Sequence, residues 1–572
     1  MPLDARFGAL LDSEYCALYT KVASELAEPY LELRGRLAEA MGSDVDWLVS
    51  SPAIRDNFSS PLFHFCVIVK LLAEHYAMQQ SLPEVVVDSR EFGSVLEELY
   101  ENLSCTARIE LRPEFSGSIL KKLRRKIAPA NVMVRRLLVW WRVKRHAGRC
   151  RLPRASSGEF VRLVDTFLVS TDTTKDRYYD GLFESLNSMQ SRETYIVPTF
   201  HNLSASEITQ VVKEAKRESK QFLFKEGCLK LSDIFWASGH FLRLRRLRIP
   251  QLNWCGVDIS PIFRRELKAG RHLEGAFIGL VNFRFFRALK AANLEVSETI
   301  DWFENQSVDV GWNFGAHTFF PGAKTLGYQG FFQANDGASP ASYEYHLGVV
   351  PRKLCVMGPG LREQRARWCP EIKIEIAPAF RFRWLWQING QGSPEQTYEA
   401  KDPPILLTVL PADTLTANFL LALIGKICER YRGWRFWVKF HPSLPPLHLD
   451  NWTTVSTKVE TVSGSLQKLF AARPLVLSGG MTTAGLEALA FGIPAIFCCP
   501  PGREHQLPVP DALRTMSLLT CKSAEELMLA IEETERILKV DQRHFLKRSL
   551  GIRKELFAPV TPQGLTALGF VN

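Results

Sequence analysis

Residues Leu475–Pro500 read LVLSGGMTTAGLEALAFGIPAIFCCP. Leu475-Val-Leu and Ala495-Ile-Phe-Cys-Cys are short unbroken apolar runs, the pattern of strands buried on both faces. Between them Ser478, Gly479 and Gly480 make a turn, and Thr482 or Thr483 can cap a helix lined by Leu486, Leu489 and Ala490. Gly492-Ile-Pro ends that helix. A helix that begins at glycines directly after a parallel strand aims backbone N–H groups and the positive end of its dipole at one place, which suits a phosphate. The stretch predicts an α/β fold with a nucleotide or nucleotide-sugar site.

Outward from this unit the alternation continues. Strand patterns at Lys353–Met357, Ile372–Ile376, Ile405–Leu410 and Arg435–Phe440 precede it, with a helix at Leu415–Tyr431 and a closing helix at Ser523–Leu538. An earlier series holds strand patterns at Leu163–Ser170, Thr194–Thr199, Thr299–Phe303 and Thr325–Gly327. Alternating strands and helices imply doubly wound parallel sheets. At 572 residues the chain is too long for one core. Two Rossmann-like domains across a cleft are expected: 1–345, with a helical extension over 1–80 and a basic insertion over 115–158; 346–545; and a tail, 546–572.

Composition narrows the class. The chain is 46% hydrophobic and 23% charged, as in a globular protein, and its 12 cysteines are scattered without a CxxC pair. That argues against a zinc site or a disulfide framework and for a reducing compartment. Met1–Arg6 lacks the apolar core of a secretory signal, and no run of 18 apolar residues occurs, so a cytoplasmic location is expected.

The net charge of +10 is local. Between Phe115 and Gly158 there are 13 Lys or Arg residues and no Asp or Glu; without them 58 basic residues face 61 acidic ones, a net of −3. Val134, Leu137, Leu138 and Trp141 recur there at helical spacing among arginines, with Val139 and Val143 off the stripe. Trp140 and Trp141 suit an interface that is apolar on one side and wet on the other. The segment is expected to hold the protein peripherally at the inner face of the cytoplasmic membrane, ahead of a solvated insertion and of nucleic acid, for which no module is present.

Trp437-Val-Lys-Phe-His-Pro-Ser places His441 just past a strand, where ligands bind in open α/β sheets, with Pro442 fixing the turn. A histidine there can donate to a phosphate. Glu487 follows the threonines on the same predicted helix. Asp301-Trp-Phe-Glu-Asn-Gln ends another strand, and Glu304 can face a sugar across the cleft as base or nucleophile, with Asp301 in reserve. His201, Asn202 and Lys225 are weaker candidates for acceptor contacts, and Arg381 and Arg383 for an acidic sugar. No DxD-like metal motif or His/Asp cluster is convincing, so no metal or other cofactor is expected.

His441-Pro442 followed by Ser478 and Thr482-Thr483 resembles the HP and Ser/Thr motifs of bacterial GT-B glycosyltransferases that use CMP-activated sugars, including sialyl-, polysialyl- and Kdo transferases. The Trp302-Phe-Glu-Asn and Gly327-Tyr-Gln-Gly elements resemble bacterial surface-carbohydrate biosynthesis proteins. The resemblance implies a CMP-sugar donor, with Kdo or another nonulosonate as the sugar. His441 would meet the donor phosphate beside Ser478, Thr482 and Thr483, Glu487 would bind ribose hydroxyls, and Glu304 would supply the carboxylate. The acceptor would be a glycan or lipid-linked molecule in O-antigen or capsule synthesis. The alternatives are a transferase using UDP- or GDP-sugars, a non-catalytic scaffold of the same shape, and a nucleotide-sugar epimerase.

Overall fold

The computed structural model describes residues 2–54, 60–112, 119–147, 152–154, 158–174, 176–269, 273–334, 337–387, 402–514 and 518–570. The first 112 residues build their own layer. Strands β1 (Leu3–Asp4), β2 (Val85–Val87) and β3 (Ile109–Leu111) form a small parallel sheet packed by helices, among them Ser13–Glu25, Leu62–Gln79 and Arg90–Asn102.

The first large sheet contains β4 (Arg162–Leu168), β5 (Thr194–Phe200) and β6 (Gln221–Phe222). After a short hairpin, β7 (Asn253–Trp254) with β8 (Val257–Asp258), it continues with β9 (Glu298–Trp302), β10 (Lys324–Gln329), β11 (Lys353–Val356) and β12 (Lys373–Ile376). Its order is β12-β11-β10-β9-β4-β5-β6, parallel throughout. The second sheet holds β13 (Ile405–Val409), β14 (Arg435–Lys439), β15 (Glu460–Thr461), β16 (Leu475–Gly479), β17 (Ala495–Cys498) and β18 (Thr520–Cys521). Its order is β15-β14-β13-β16-β17-β18, again all parallel.

Both sheets reverse direction of winding once, the first between β4 and β9 and the second between β13 and β16. Ligands in open α/β sheets sit beyond the carboxyl ends of the strands at such a reversal. Parallel strands covered on both faces must be apolar, and every residue of β13, β16 and β17 is buried.

The division between domains differs from the expected one. Lys353–Val356 and Lys373–Ile376 pair onto β10 and extend the first sheet, so the change of domain lies between Ile376 and Ile405 rather than at 345. A short apolar parallel strand does not reveal which sheet it joins; only the pairing Leu326 with Lys353 does. Residues 546–570 are not a separate tail but part of the first domain's packing. After the helix Gln542–Leu556 the chain crosses back: Ala558 N–H donates to the Met357 carbonyl at 2.7 Å, and Arg162 Nη2 donates to the Gly569 carbonyl at 2.8 Å. Leu565, Leu568 and Phe570 are buried with Ile300, Leu326 and Tyr328 against the first sheet.

Behind the first sheet the helices Leu273–Ala291 and Ser307–Phe319 cross in contact. A Cβ on Gly311 would overlap the backbone of Gly279, so only glycine permits this approach. The crossing seats the start of the second helix, which follows directly on the end of β9.

Candidate active site

A cavity of about 730 Å³ lies between the domains. It is lined from the first domain by Glu304, Asn305 and Gln306 at the end of β9 and by the Phe331–Ala334 segment after β10. The second domain contributes Leu410–Asp413 after β13, Lys439–Pro442 after β14, and Met481, Thr482, Thr483 and Glu487 after β16. The carboxyl ends of strands from both sheets thus face one space, and it contains Glu304, His441, Pro442, Thr482, Thr483 and Glu487 together.

Glu304 is held at both oxygens. Trp302 Nε1 donates to Oε1 at 2.6 Å and Gln306 Nε2 to Oε2 at 3.0 Å. The turn beneath it is built by Asp309, whose Oδ2 accepts the backbone N–H groups of Glu304 and Gln306 at 2.9 Å each. Asn305 takes the left-handed conformation at φ +58°, and its amide donates to Ser339 Oγ at 2.8 Å and to the Glu344 carboxylate at 3.2 Å. Asp301 is enclosed beneath this turn and accepts from Asn313 Nδ2 at 2.7 Å, so it does not reach the cavity. Burial drives the Asp301 and Asp309 carboxyls well above the ordinary range, and the Asp301 charge adds to the rise at Asp309.

His441 is fixed by its own loop. The Ser443 N–H donates to Nδ1 at 3.2 Å, which assigns Nδ1 as acceptor and places the proton of the neutral ring on Nε2. Partial burial lowers its pKa, and Arg177, Lys439 and Arg381 lower it further. The ring is a neutral N–H donor at neutral pH. Pro442 follows at the cavity wall.

The turn after β16 divides its residues between two tasks. Ser478 is buried, and its hydroxyl accepts the N–H of Gly485, the second residue of the helix Ala484–Phe491, at 3.2 Å. Ser478 and Gly479 end β16 and Gly480 opens the turn, and none of the three lines the cavity. Gly480 has φ +59°, and a Cβ there would stand 2.9 Å from Asp413 Oδ2. Asp413 in turn caps the helix Thr414–Arg430 through Thr416 N–H at 2.8 Å. Beyond Gly480, Thr482 and Thr483 face the cavity. Thr483 Oγ1 donates to Glu487 Oε1 at 2.7 Å, and burial raises the Glu487 pKa.

The cavity also holds cations. Arg177, in the segment after β4, was not singled out by sequence; nothing in a short loop of charged and aromatic residues marks it. Arg381 lines the cavity, whereas its neighbour Arg383 is bound to Asp180 at 2.7 Å. Lys225 is enclosed in the first domain, donating to Asp165 at 3.2 Å, Thr199 at 2.5 Å and Asn282 at 2.8 Å, and His201 and Asn202 likewise do not line the cavity. Among the described residues no cluster of three or more His, Cys, Asp or Glu side chains is arranged to hold a metal ion.

No protein-family model and no curated protein sequence matches the chain. Solved structures similar to it include a glycosyltransferase from Rickettsia africae, with TM-score 0.38 and 12% identity over 70% of this chain and 95% of that one. Acinetobacter baumannii MurG aligns with TM-score 0.38 and 10% identity over 72% and 99%. The UDP-GlcNAc 2-epimerase from Neisseria meningitidis, bound to UDP-GlcNAc, gives 0.43 and 10% over 72% and 99%. The architecture rests on the strand orders themselves: an α/β protein with two parallel Rossmann-like sheets opposed across a cleft, the GT-B arrangement.

Proposed function

We propose that the protein is a GT-B glycosyltransferase that transfers a sugar from a nucleotide-activated donor to an acceptor hydroxyl. The observation that supports this reading best is the sharing of one interdomain cavity by a doubly held carboxylate, Glu304, and a neutral N–H donor, His441, at strand ends of opposite domains.

In this reading the donor phosphate sits on the second domain, between His441 Nε2–H and the Thr482 hydroxyl, beside Thr483, whose hydroxyl proton holds Glu487. Glu487 is the ribose partner. Glu304 removes the acceptor proton as the acceptor oxygen bonds to the anomeric carbon. The bond from that carbon to the phosphate oxygen breaks, and its electron pair leaves on the phosphate, where His441 offsets the developing charge. The chemistry asks nothing of a metal.

The donor we assign is a CMP-activated acidic sugar, Kdo or another nonulosonate. This assignment rests on the resemblance of His441-Pro442 and Ser478–Thr483 to the HP and Ser/Thr motifs. It is favoured by the cations Arg177, Arg381 and Lys439 that accompany His441, while the lining carboxylates Glu304, Asp413 and Glu487 are each already hydrogen-bonded within the protein. The acceptor is a glycan or lipid-linked molecule of bacterial surface polysaccharide synthesis, reached at the inner membrane face through the basic segment 115–158. Among the described residues no helix is long and apolar enough to cross a membrane.

The test pairs binding with turnover. CMP should raise the thermal midpoint more than UDP or GDP, and His441→Ala should abolish that rise. CMP-Kdo or a CMP-nonulosonate should be consumed in the presence of acceptor. A UDP- or GDP-sugar consumed in its place moves the donor assignment, and consumption of none of them overturns the reading.

A further inference from the structure

Over residues 130–147 the helix Ile119–Ala147 buries one side, at Arg136, Val139 and Val143. Val139 and Val143, which fall off the apolar stripe in the sequence, are its buried face and pack with Ile208, Val211 and Val212. Arg136 is buried against Glu274 at 2.5 Å, Lys144 Nζ donates to the Gly227 carbonyl at 2.7 Å, and Trp140 Nε1 donates to the Leu229 carbonyl at 3.2 Å. These cations are anchors. The side chains of Lys121, Lys122, Arg124, Arg125 and Lys126, and residues Arg149 and Arg151, lie outside the described residues.

The opposite side is apolar and exposed. Val134, Leu138 and Trp141 follow one another at helical spacing, and Arg145 lies over the Trp141 ring at 5.4 Å. A second segment, some ninety positions later, joins them. Leu231 lines the same shallow apolar depression as Val134, Leu138 and Trp141. It opens the helix Leu231–Ser238, which packs on Ile119–Ala147. Phe235 lies one turn beyond Leu231 on the same side, and Leu242 follows in the next helix, His240–Leu244. All six side chains are between 42% and 53% exposed. Arg245, Arg246 and Arg248 are exposed just after, and the one carboxylate in 231–248, Asp233, is buried and bonded to Arg287 at 3.0 Å.

We infer that these two segments form a single face that rests on an anionic bilayer, with Trp141, Phe235 and Leu242 entering the headgroup boundary and Arg145, Arg245, Arg246 and Arg248 meeting lipid phosphates. The inference rests on the membrane reading of the basic segment and adds the second, unpredicted half of the contact. Charge selects the partner: the apolar side chains are bordered by outward arginines, and the local carboxylates Glu274 and Asp233 are bonded to arginines. Aromatic side chains between an apolar and a wet phase, ringed by arginine, match a lipid interface. Duplex nucleic acid would leave the apolar side chains unused.

Flotation of the full chain with vesicles tests this. Vesicles of phosphatidylcholine with phosphatidylglycerol should bind it, and pure phosphatidylcholine vesicles much less. Arg245→Gln with Arg246→Gln should weaken binding roughly thirtyfold, from about 1 kcal/mol per basic residue at an anionic surface. Phe235→Asp with Leu242→Asp should abolish it, as should Leu138→Asp with Trp141→Asp, with thermal midpoints unchanged. If only the Leu138 and Trp141 pair matters, the composite face is overturned while the basic segment keeps its membrane role. If the wild type floats with neither vesicle, or binds duplex DNA in preference to vesicles, both fall.

Discussion

The backbone N–H of Ser443 donates to Nδ1 of His441 at 3.2 Å, and this one bond decides which proton the imidazole offers to the cleft. Because burial, then Arg177, Lys439 and Arg381, hold the ring's pKa below the usual histidine value, it stays neutral until the pH falls under that value. A bound phosphate would offset those cations. Titration of His441 by NMR should therefore give a low midpoint in the free protein and a higher one with CMP bound. An unmoved midpoint would place the phosphate away from His441.

Glu304 owes its position to Trp302, Gln306 and Asp309, none of which depends on its charge being used in chemistry. Glu304→Gln should keep the fold and CMP binding and lower the transfer rate by roughly two to four orders of magnitude, the range for a lost general base. Near-normal turnover would remove the base role and favour a scaffold. The stereochemistry of the product is a second check: an inverted anomeric centre fits direct attack by the acceptor, and a retained one would recast Glu304 as nucleophile.

The parts of this site that sequence revealed are those whose signal is local. A strand, a glycine turn and a helix follow within Leu475–Pro500, because apolar runs and glycines act over a few residues, although the strand runs on through Ser478 and Gly479 and the Thr483 side chain does not cap the helix. His441 and Glu304 were visible because each directly follows a strand. What stayed hidden is set by long-range pairing. Lys353–Val356 has the same pattern whichever sheet accepts it, so the domain boundary was misplaced. Ser478 looked like a ligand for phosphate, yet the left-handed Gly480 turns the chain so that its hydroxyl holds Gly485 N–H. Arg177 lies in an irregular segment with no period to read. On the basic helix, Val134, Leu138 and Trp141 of the stripe selected by hydrophobicity are exposed, Leu137 is partly buried, and Val139 and Val143 dock the helix.

The crossing of Gly279 and Gly311 makes a sharp prediction about the first domain. A methyl group on Gly311 has no flexible neighbour to displace, since the overlapping atoms belong to the Gly279 backbone. Gly311→Ala should destabilise the protein by about 1–3 kcal/mol, the usual cost of overpacking, and should lower activity by moving the Asp309 turn under Glu304. Thermal denaturation alongside transfer rates tests both parts. A neutral substitution would mean that the two helices do not pack this closely.

Two buried histidines set an acid limit on stability. His64 accepts from the Tyr19 hydroxyl at Nδ1, 2.8 Å, and donates from Nε2 to the Ala5 carbonyl, 3.1 Å; its ring and that of His505 both lie against Tyr19. Burial, with Arg503 second, brings each down to about 3. A folded pKa below the unfolded value near 6.5 means that the unfolded chain binds more protons between the two. The stabilisation is complete above about pH 6.5 and is lost as the pH falls toward 3, at up to about 1.4 kcal/mol per pH unit per histidine. Urea midpoints should decline steadily below pH 6, and more gently in His64→Gln, measured against its own value at pH 7.5.

Arg381 and Arg383 stand two residues apart, and the structure gives them different duties. Arg383 is tied to Asp180 at 2.7 Å in the first domain, while Arg381 lines the cavity with Arg177 and Lys439. If the donor brings a phosphate and a carboxylate, Arg381 and Arg177 have charge to meet, and a hydrogen bond to a charged group is worth about 1.5–3 kcal/mol. Arg381→Gln and Arg177→Gln should each raise the donor KM by roughly tenfold to a hundredfold with kcat less affected. Arg383→Gln should leave KM within about twofold, because a partly exposed ion pair contributes 0–1 kcal/mol. Comparing a donor with a carboxylate-bearing sugar against one without separates the two anions. If both variants weaken both donors equally, the arginines serve the phosphate; if the loss is confined to the acidic sugar, they read its carboxylate. Equal effects of all three substitutions would remove the distinction between Arg381 and Arg383 and with it the assignment of the cavity's basic wall to the donor.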